Sequence, residues 1–192
     1  LSSVLGLDEK AYNVLLYDNC LNLMKGAVLT ADVVSTVSPT YAKEISDPWF
    51  SNGLDKFLSE QSHKIKGILN GIDNGFYNPE TDRVIYNRYS AKNPCDKAKN
   101  KIQLLRNLGL DATDNPFTVG VITNFLETRG IELIRYGIDE LLSLGIRLIF
   151  LGQGDYEFEK FLQGLKEEYP TRVSVNIKTA PDFARKIYAG AD

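Results

Sequence analysis

Ile146-Arg147-Leu148-Ile149-Phe150-Leu151-Gly152-Gln153-Gly154-Asp155 is the stretch that decides the fold of this chain. Its first six residues are almost continuously apolar, the mark of a β-strand covered on both faces. Such a strand belongs to a parallel sheet, where crossover helices supply the two covers. Downstream, Phe158, Phe161, Leu162 and Leu165 recur at helical spacing until Tyr169-Pro170 ends the helix. A strand over Arg172–Ile177 and a short helix over Asp182–Tyr188 follow. Upstream, Ile131, Ile134, Ile138, Leu141 and Leu142 predict a helix stopped at Gly145, preceded by a strand over Phe117–Thr123. Before that, Ala98, Ile102, Leu105 and Leu108 mark a further helix, with Gly109 as its left-handed cap. Strands alternating with helices through short connections predict an α/β parallel sheet built by right-handed crossovers. Three strands make the first half of a doubly wound sheet, whose ligand crevice lies at the strands' carboxyl ends.

The first third of the chain reads as irregular until Asp32-Val33-Val34-Ser35-Thr36-Val37, a buried strand by its β-branched alternation. Ser38 then caps a helix from Thr40 to Ile45, with Pro39 at its first position. Ser46–Gln61 reads as a loop holding one short helix, and Lys66–Leu69 as a short strand. That strand runs into Asn70-Gly71-Ile72-Asp73-Asn74-Gly75, a turn-rich segment extended by Pro79 and the charged run to Arg83. This is the expected domain boundary.

Composition narrows the function. With 22 Lys and Arg against 25 Asp and Glu, the net charge is −3, which argues against a nucleic-acid binder. Cys20 and Cys95 form no CxxC pair and support neither a disulfide framework nor a zinc site. No apolar run approaches the roughly 20 residues of a membrane span, and Leu1-Ser2-Ser3 lacks the charged head of a signal peptide. No membrane and no nucleic acid are therefore expected as partners. The chain stops at Ala189-Gly190-Ala191-Asp192 with no apolar strand after it, which reads as a piece of a larger protein.

Few residues carry a chemical signature. The single histidine, His63, sits in a polar segment beside Lys64 and reads as an exposed side chain. Glu157, Glu159, Glu167 and Glu168 read as a solvated helix face, and so do the lysines between residues 92 and 101. Gly152-Gln153-Gly154-Asp155 is more informative. Backbone amides at such a turn can hold an anion near a helix start, and a tight turn alone explains the glycines equally well. Thr123–Gly130 stands in the same relation to its strand and helix, and places Arg129 within reach of a phosphate.

Longer motifs carry a resemblance. Asn22-Leu23-Met24-Lys25-Gly26, Ala31–Ile45, Gly67–Asp73 and Asn78–Asp82 resemble the bacterial glycogen synthase and plant starch synthase family. Gly152–Asp155 is similar to its Gly-Ser-Gly-Asp, and Ile187–Asp192 to a further stretch, all in the family's order. The resemblance implies a retaining glucosyltransferase with portions of two Rossmann-like domains of the GT-B type. Such an enzyme transfers glucose from ADP-glucose to the non-reducing end of an α-1,4-glucan, with no cofactor and no metal. Residues 1–70 would close the N-terminal, acceptor-side domain, 71–78 would link, and 79–192 would open the C-terminal, nucleotide-sugar domain. The partners implied are a sugar nucleotide and an α-glucan. The location implied is cytoplasmic for a bacterial protein, or the plastid for a plant one. Alone, such a piece is expected to be inactive and to self-associate through a bare sheet edge.

The same resemblance marks departures. The family has an Arg where Asn124 stands and a Lys where Arg129 stands, both holding the nucleotide phosphates. A family Gly-Tyr aligns with Lys178-Thr179, so Thr179 replaces a ring in the nucleotide-base region. Gly152, Gly154 and Asp155 complete the expected phosphate-side set. Asn70 is the expected sugar contact, with a plain domain-linking turn as its equal alternative. No residue of the chain is singled out as catalytic. These departures also support a second reading, a diverged non-catalytic homologue acting as a glucan-binding or scaffolding protein.

Overall fold

The computed structural model describes Gly6 and residues 8–192 and divides into two compact units, Leu1–Ile72 and Asp73–Asp192. In the first unit, residues 9–30 are ordered, contrary to the irregular reading. Helix α1 (Glu9–Leu15) is capped by Asp8, whose carboxylate accepts from the Ala11 amide at 3.1 Å. The two-residue strands β1 (Leu16–Tyr17) and β2 (Cys20–Leu21) form a hairpin. Asp18 and Asn19 turn it with φ of 47° and 58°, a left-handed geometry these residue types tolerate. Helix α2 (Leu23–Thr30) is capped by Asn22, and Lys25 reaches back to the carbonyls of Asn13 and Leu16. Both helices are a turn or two long and start from polar caps, so no apolar stripe announces them.

Strand β3 (Val34–Thr36) pairs in parallel with β4 (Ile65–Gly67). Between them run α3 (Pro39–Glu44), capped by Ser38 through the Tyr41 amide, and α4 (Asp55–Glu60). A small core of Val28, Phe57, Leu58 and Ile65 holds these elements together.

The second unit is a three-stranded parallel sheet in the order β5 (Thr118–Ile122), β6 (Arg147–Gly152), β7 (Val173–Ile177). Central strand β6 is buried from Arg147 to Leu151, as its apolar run predicts. Leu148 and Phe150 face a core shared with α6 (Ile131–Ser143) and α7 (Tyr156–Glu168). Ile149 and Leu151 face a second core shared with α5 (Lys97–Asn107) and α8 (Pro181–Gly190). Helix α8 brings the chain from β7 back to the edge of β5. There Asp192 exchanges backbone and side-chain hydrogen bonds with Thr118, at 2.9 and 2.8 Å.

Helix α5 corrects the sequence reading. Its inward face is Asn100, Lys101, Leu104 and Leu105, whereas Ala98 and Ile102 point outward. Of its lysines only Lys99 lies on a solvated face, and Lys97 and Lys101 do not. Buried Lys101 lies 2.6 Å from the Asp192 carboxylate, and Lys97 donates to the carbonyls of Tyr188, Ala189 and Ala191 at the end of α8. Burial pushes the Lys97 ammonium below its usual range, an effect the nearby Asp192 opposes. Hydropathy periodicity assigns such polar residues to water, and here they lock two helices together.

Candidate functional site

A cavity of about 410 Å³ opens at the carboxyl ends of all three strands of the second unit. Ile122, Thr123 and Asn124 line it from β5, Leu151 and Gly152 from β6, and Lys178 and Thr179 from the end of β7. Pro181, Ala184 and Tyr188 of α8 form one wall, and Arg129 and Tyr77 reach in from loops. This is where parallel α/β sheets bind ligands, because the loops that leave the strands there are free to vary.

Close backbone contact builds the floor. A Cβ on Gly152 would overlap the carbonyl oxygen of Thr123, and one on Gly154 would overlap that of Phe125. The two segments are tied by hydrogen bonds from the Phe125 amide to Gln153 at 3.0 Å and from the Asp155 amide to Phe125 at 2.9 Å. Phe125 is fully buried beneath this junction. The glycines are thus required by the approach of two loops.

That tie affects the expected anion turn. The Gly154 amide donates to a carboxylate oxygen of Glu159 at 2.9 Å, and the Asp155 amide is spent on Phe125. Neither amide is presented to a ligand, and neither residue lines the cavity. Of the two explanations for Gly152–Asp155, the tight turn is the one the backbone supports. Gly152 alone of the three borders the cavity.

Asn124, Arg129 and Thr179 meet around this one cavity, and all three are exposed. Among the described residues Arg129 has no salt-bridge partner, and its position in a 3₁₀ turn (Glu127–Arg129) leaves its fork open to solvent. Asn70 lies in the other unit, exposed in a segment without regular structure. His63 is exposed in its own 3₁₀ turn (Ser62–Lys64). Among the described residues no three His, Cys, Asp or Glu side chains cluster as a metal would require, and no helix is long and apolar enough to cross a membrane.

Three lining residues have no counterpart in the sequence reading as ligand contacts. Tyr77 and Tyr188 stand edge to face with centroids 6.1 Å apart, and their rings supply aromatic surface where Thr179 has none. Lys178 extends from the end of β7, with its ammonium 5.6 Å from the ring of Phe183. A lysine after a strand carries no spacing signal, and Tyr77 is brought to the cavity by a loop whose path no periodicity reveals. That loop is held by Arg185, which bonds Asp82 at 3.0 Å and Asp182 at 2.8 Å while its guanidinium lies 4.3 Å from the Phe76 ring.

Comparison with known proteins gives one consistent answer. Residues 1–60 match the family described as starch synthase catalytic domain. The glycogen synthase of Finegoldia magna is 40% identical over 181 residues, covering 94% of this chain and 38% of that protein. The glycogen synthase of Clostridium acetobutylicum is 37% identical over 194 residues, covering 100% of this chain and 41% of its own length. Among solved structures, the catalytic domain of starch synthase IV from Arabidopsis thaliana, bound to ADP and acarbose, superposes with a TM-score of 0.88. It is 31% identical, and the match covers 97% of this chain and 40% of that one. The chain thus spans about two fifths of the length of the relatives it matches. The fold is that of a GT-B glycosyltransferase.

Proposed function

This chain belongs to the family of glycogen and starch synthases, and from that premise we propose that its protein transfers glucose from ADP-glucose to an α-1,4-glucan with retention. In this reading Leu1–Ile72 is part of the acceptor-side domain and Asp73–Asp192 the opening half of the nucleotide-sugar domain, and Asn70 contributes to the sugar side. The observation that carries the proposal is the cavity at the ends of β5, β6 and β7, which gathers Asn124, Arg129, Gly152 and Thr179. During transfer the bond from the anomeric carbon to the diphosphate breaks, and negative charge grows on the departing ADP. Cations fixed at that point favour the transition state over the ground state. Arg129 is suited to this role, since its planar fork engages two phosphate oxygens at once. Tyr77 and Tyr188 offer ring faces on which a base stacks.

Calorimetric titration of the full-length protein with ADP-glucose and with UDP-glucose tests the reading. Tighter binding of ADP-glucose is expected, and equal or stronger binding of UDP-glucose contradicts the donor assignment. A second reading, a non-catalytic glucan-binding or scaffolding homologue, is favoured by the neutral Asn124 at the cavity. Asn124→Arg in the full-length protein separates the two. A large gain in glucosyl transfer points to a decayed enzyme, and a loss shows that Asn124 already serves an active site.

A further inference from the structure

Among the described residues the walls of the cavity carry two cationic side chains, Arg129 and Lys178, and no carboxylate. This stands out in a chain whose net charge is −3. Of the carboxylates near these segments, Asp182 is bonded to Arg185 at 2.8 Å and Glu159 to the Gly154 amide at 2.9 Å, and Glu127 and Asp155 lie outside the lining. Among the described residues Lys178 has no salt-bridge partner, and its ammonium rests near the Phe183 ring at 5.6 Å. Its backbone is fixed, because its amide donates to the Gly152 carbonyl at 2.9 Å across the end of the sheet. A rigidly rooted, unpaired lysine that lines the same cavity as an unpaired arginine, with no carboxylate in the described lining, suits a ligand bearing two or more negative charges.

We propose that Lys178 is a phosphate-binding residue of the donor site, and that it supplies from the end of β7 the second cation that neutral Asn124 does not supply from the end of β5. The inference rests on the reading of this cavity as a nucleotide diphosphate site. Lys178 is a compact point charge on a flexible stem, so it can swing from the Phe183 ring to a phosphate oxygen at little cost. One cation after β5 and one after β7 then hold a diphosphate, with Arg129 as the fork and Lys178 as the mobile partner.

The test is calorimetric titration of ADP and of adenosine into the full-length protein and its Lys178→Gln and Lys178→Arg variants, with Arg129→Gln alongside. Lys178 is exposed, so these variants should fold normally. Lys178→Gln is expected to weaken ADP binding about tenfold, the size of one partly screened charge-assisted hydrogen bond. Adenosine affinity should be unchanged, ADP binding should lose part of its salt dependence, and Lys178→Arg should keep most of the affinity. If Lys178→Gln binds ADP as the parent does while Arg129→Gln loses it, the inference is overturned and the cavity remains a nucleotide site. If the parent protein binds neither ADP nor adenosine, the site reading itself fails and the inference falls with it.

Discussion

The Cα of Gly152 lies so close to the carbonyl oxygen of Thr123 that a single added methyl group would occupy the same space. The obstacle is backbone, so no rotamer change relieves it. Gly152→Ala should therefore push the 123–125 segment off β6 and deform the cavity. A loss of about 3 kcal/mol is expected, at the upper end for overpacking, together with loss of ADP binding. Gly137 provides the contrast. It sits inside α6 with nothing within 4 Å of a built Cβ, so Gly137→Ala should stabilise by about 0.5–1 kcal/mol through helix propensity. Urea unfolding of both variants checks the pair.

Asn100 is fully buried, and its amide brackets Asn87 by accepting from its backbone N–H at 2.9 Å and donating to its carbonyl at 2.7 Å. Asn100→Ala leaves the half-buried Asn87 amide and carbonyl without their partner and should cost about 2 kcal/mol. Asn100→Asp keeps the acceptor but sets a carboxylate oxygen against the Asn87 carbonyl, so it should do no better. Thermal melts and hydrogen exchange at the Asn87 amide report the effect.

Lys101 and Asp192 are unequal partners, with side chains 8% and 33% exposed. Asp192→Ala leaves a buried ammonium without its counter-charge and should cost about 3 kcal/mol. Lys101→Met removes the buried charge and leaves a carboxylate that still reaches water and the Thr118 amide, so about 1 kcal/mol or less is expected. Burial by itself would raise the Asp192 carboxyl, but hydrogen bonds from Lys101 and the Thr118 amide, with the attraction of both lysines, hold it below the ordinary range. A folded-state value below the unfolded one means stability that is present above about pH 4 and lost as pH falls through the depressed value. Stability measured against pH should show this acid limb in the parent and a shallower one in Lys101→Met.

Much of the sheet was legible because its strands are apolar and its helices are long. Ile146–Leu151 could only be a doubly covered strand, and Gly109 and Gly145 mark helix ends with φ of 69° and 75°. The short capped helices of residues 9–30 were not legible, since seven or eight residues starting from Asp8 and Asn22 show no stripe. Helix α5 misled for a different reason. Asn100 and Lys101 are buried by virtue of partners 13 and 91 residues away, which no local pattern contains. Of the residues that line the cavity, Arg129 was legible from its strand-to-helix turn, and Asn124 and Thr179 only through the family resemblance. Gly154 and Asp155 have their amides consumed within the fold, while Lys178 and Tyr77 become cavity residues only when the chain has folded.

Glucosyl transfer itself is measured by incubating the purified full-length protein with glycogen and radiolabelled ADP-glucose. Label should be built into the glucan as α-1,4-linked glucose, at a rate lowered at least tenfold by Arg129→Gln, the loss expected from removing one charge-assisted phosphate contact. Folded protein that binds ADP and glycogen yet transfers no label would show that the chain's protein is not a glucosyltransferase.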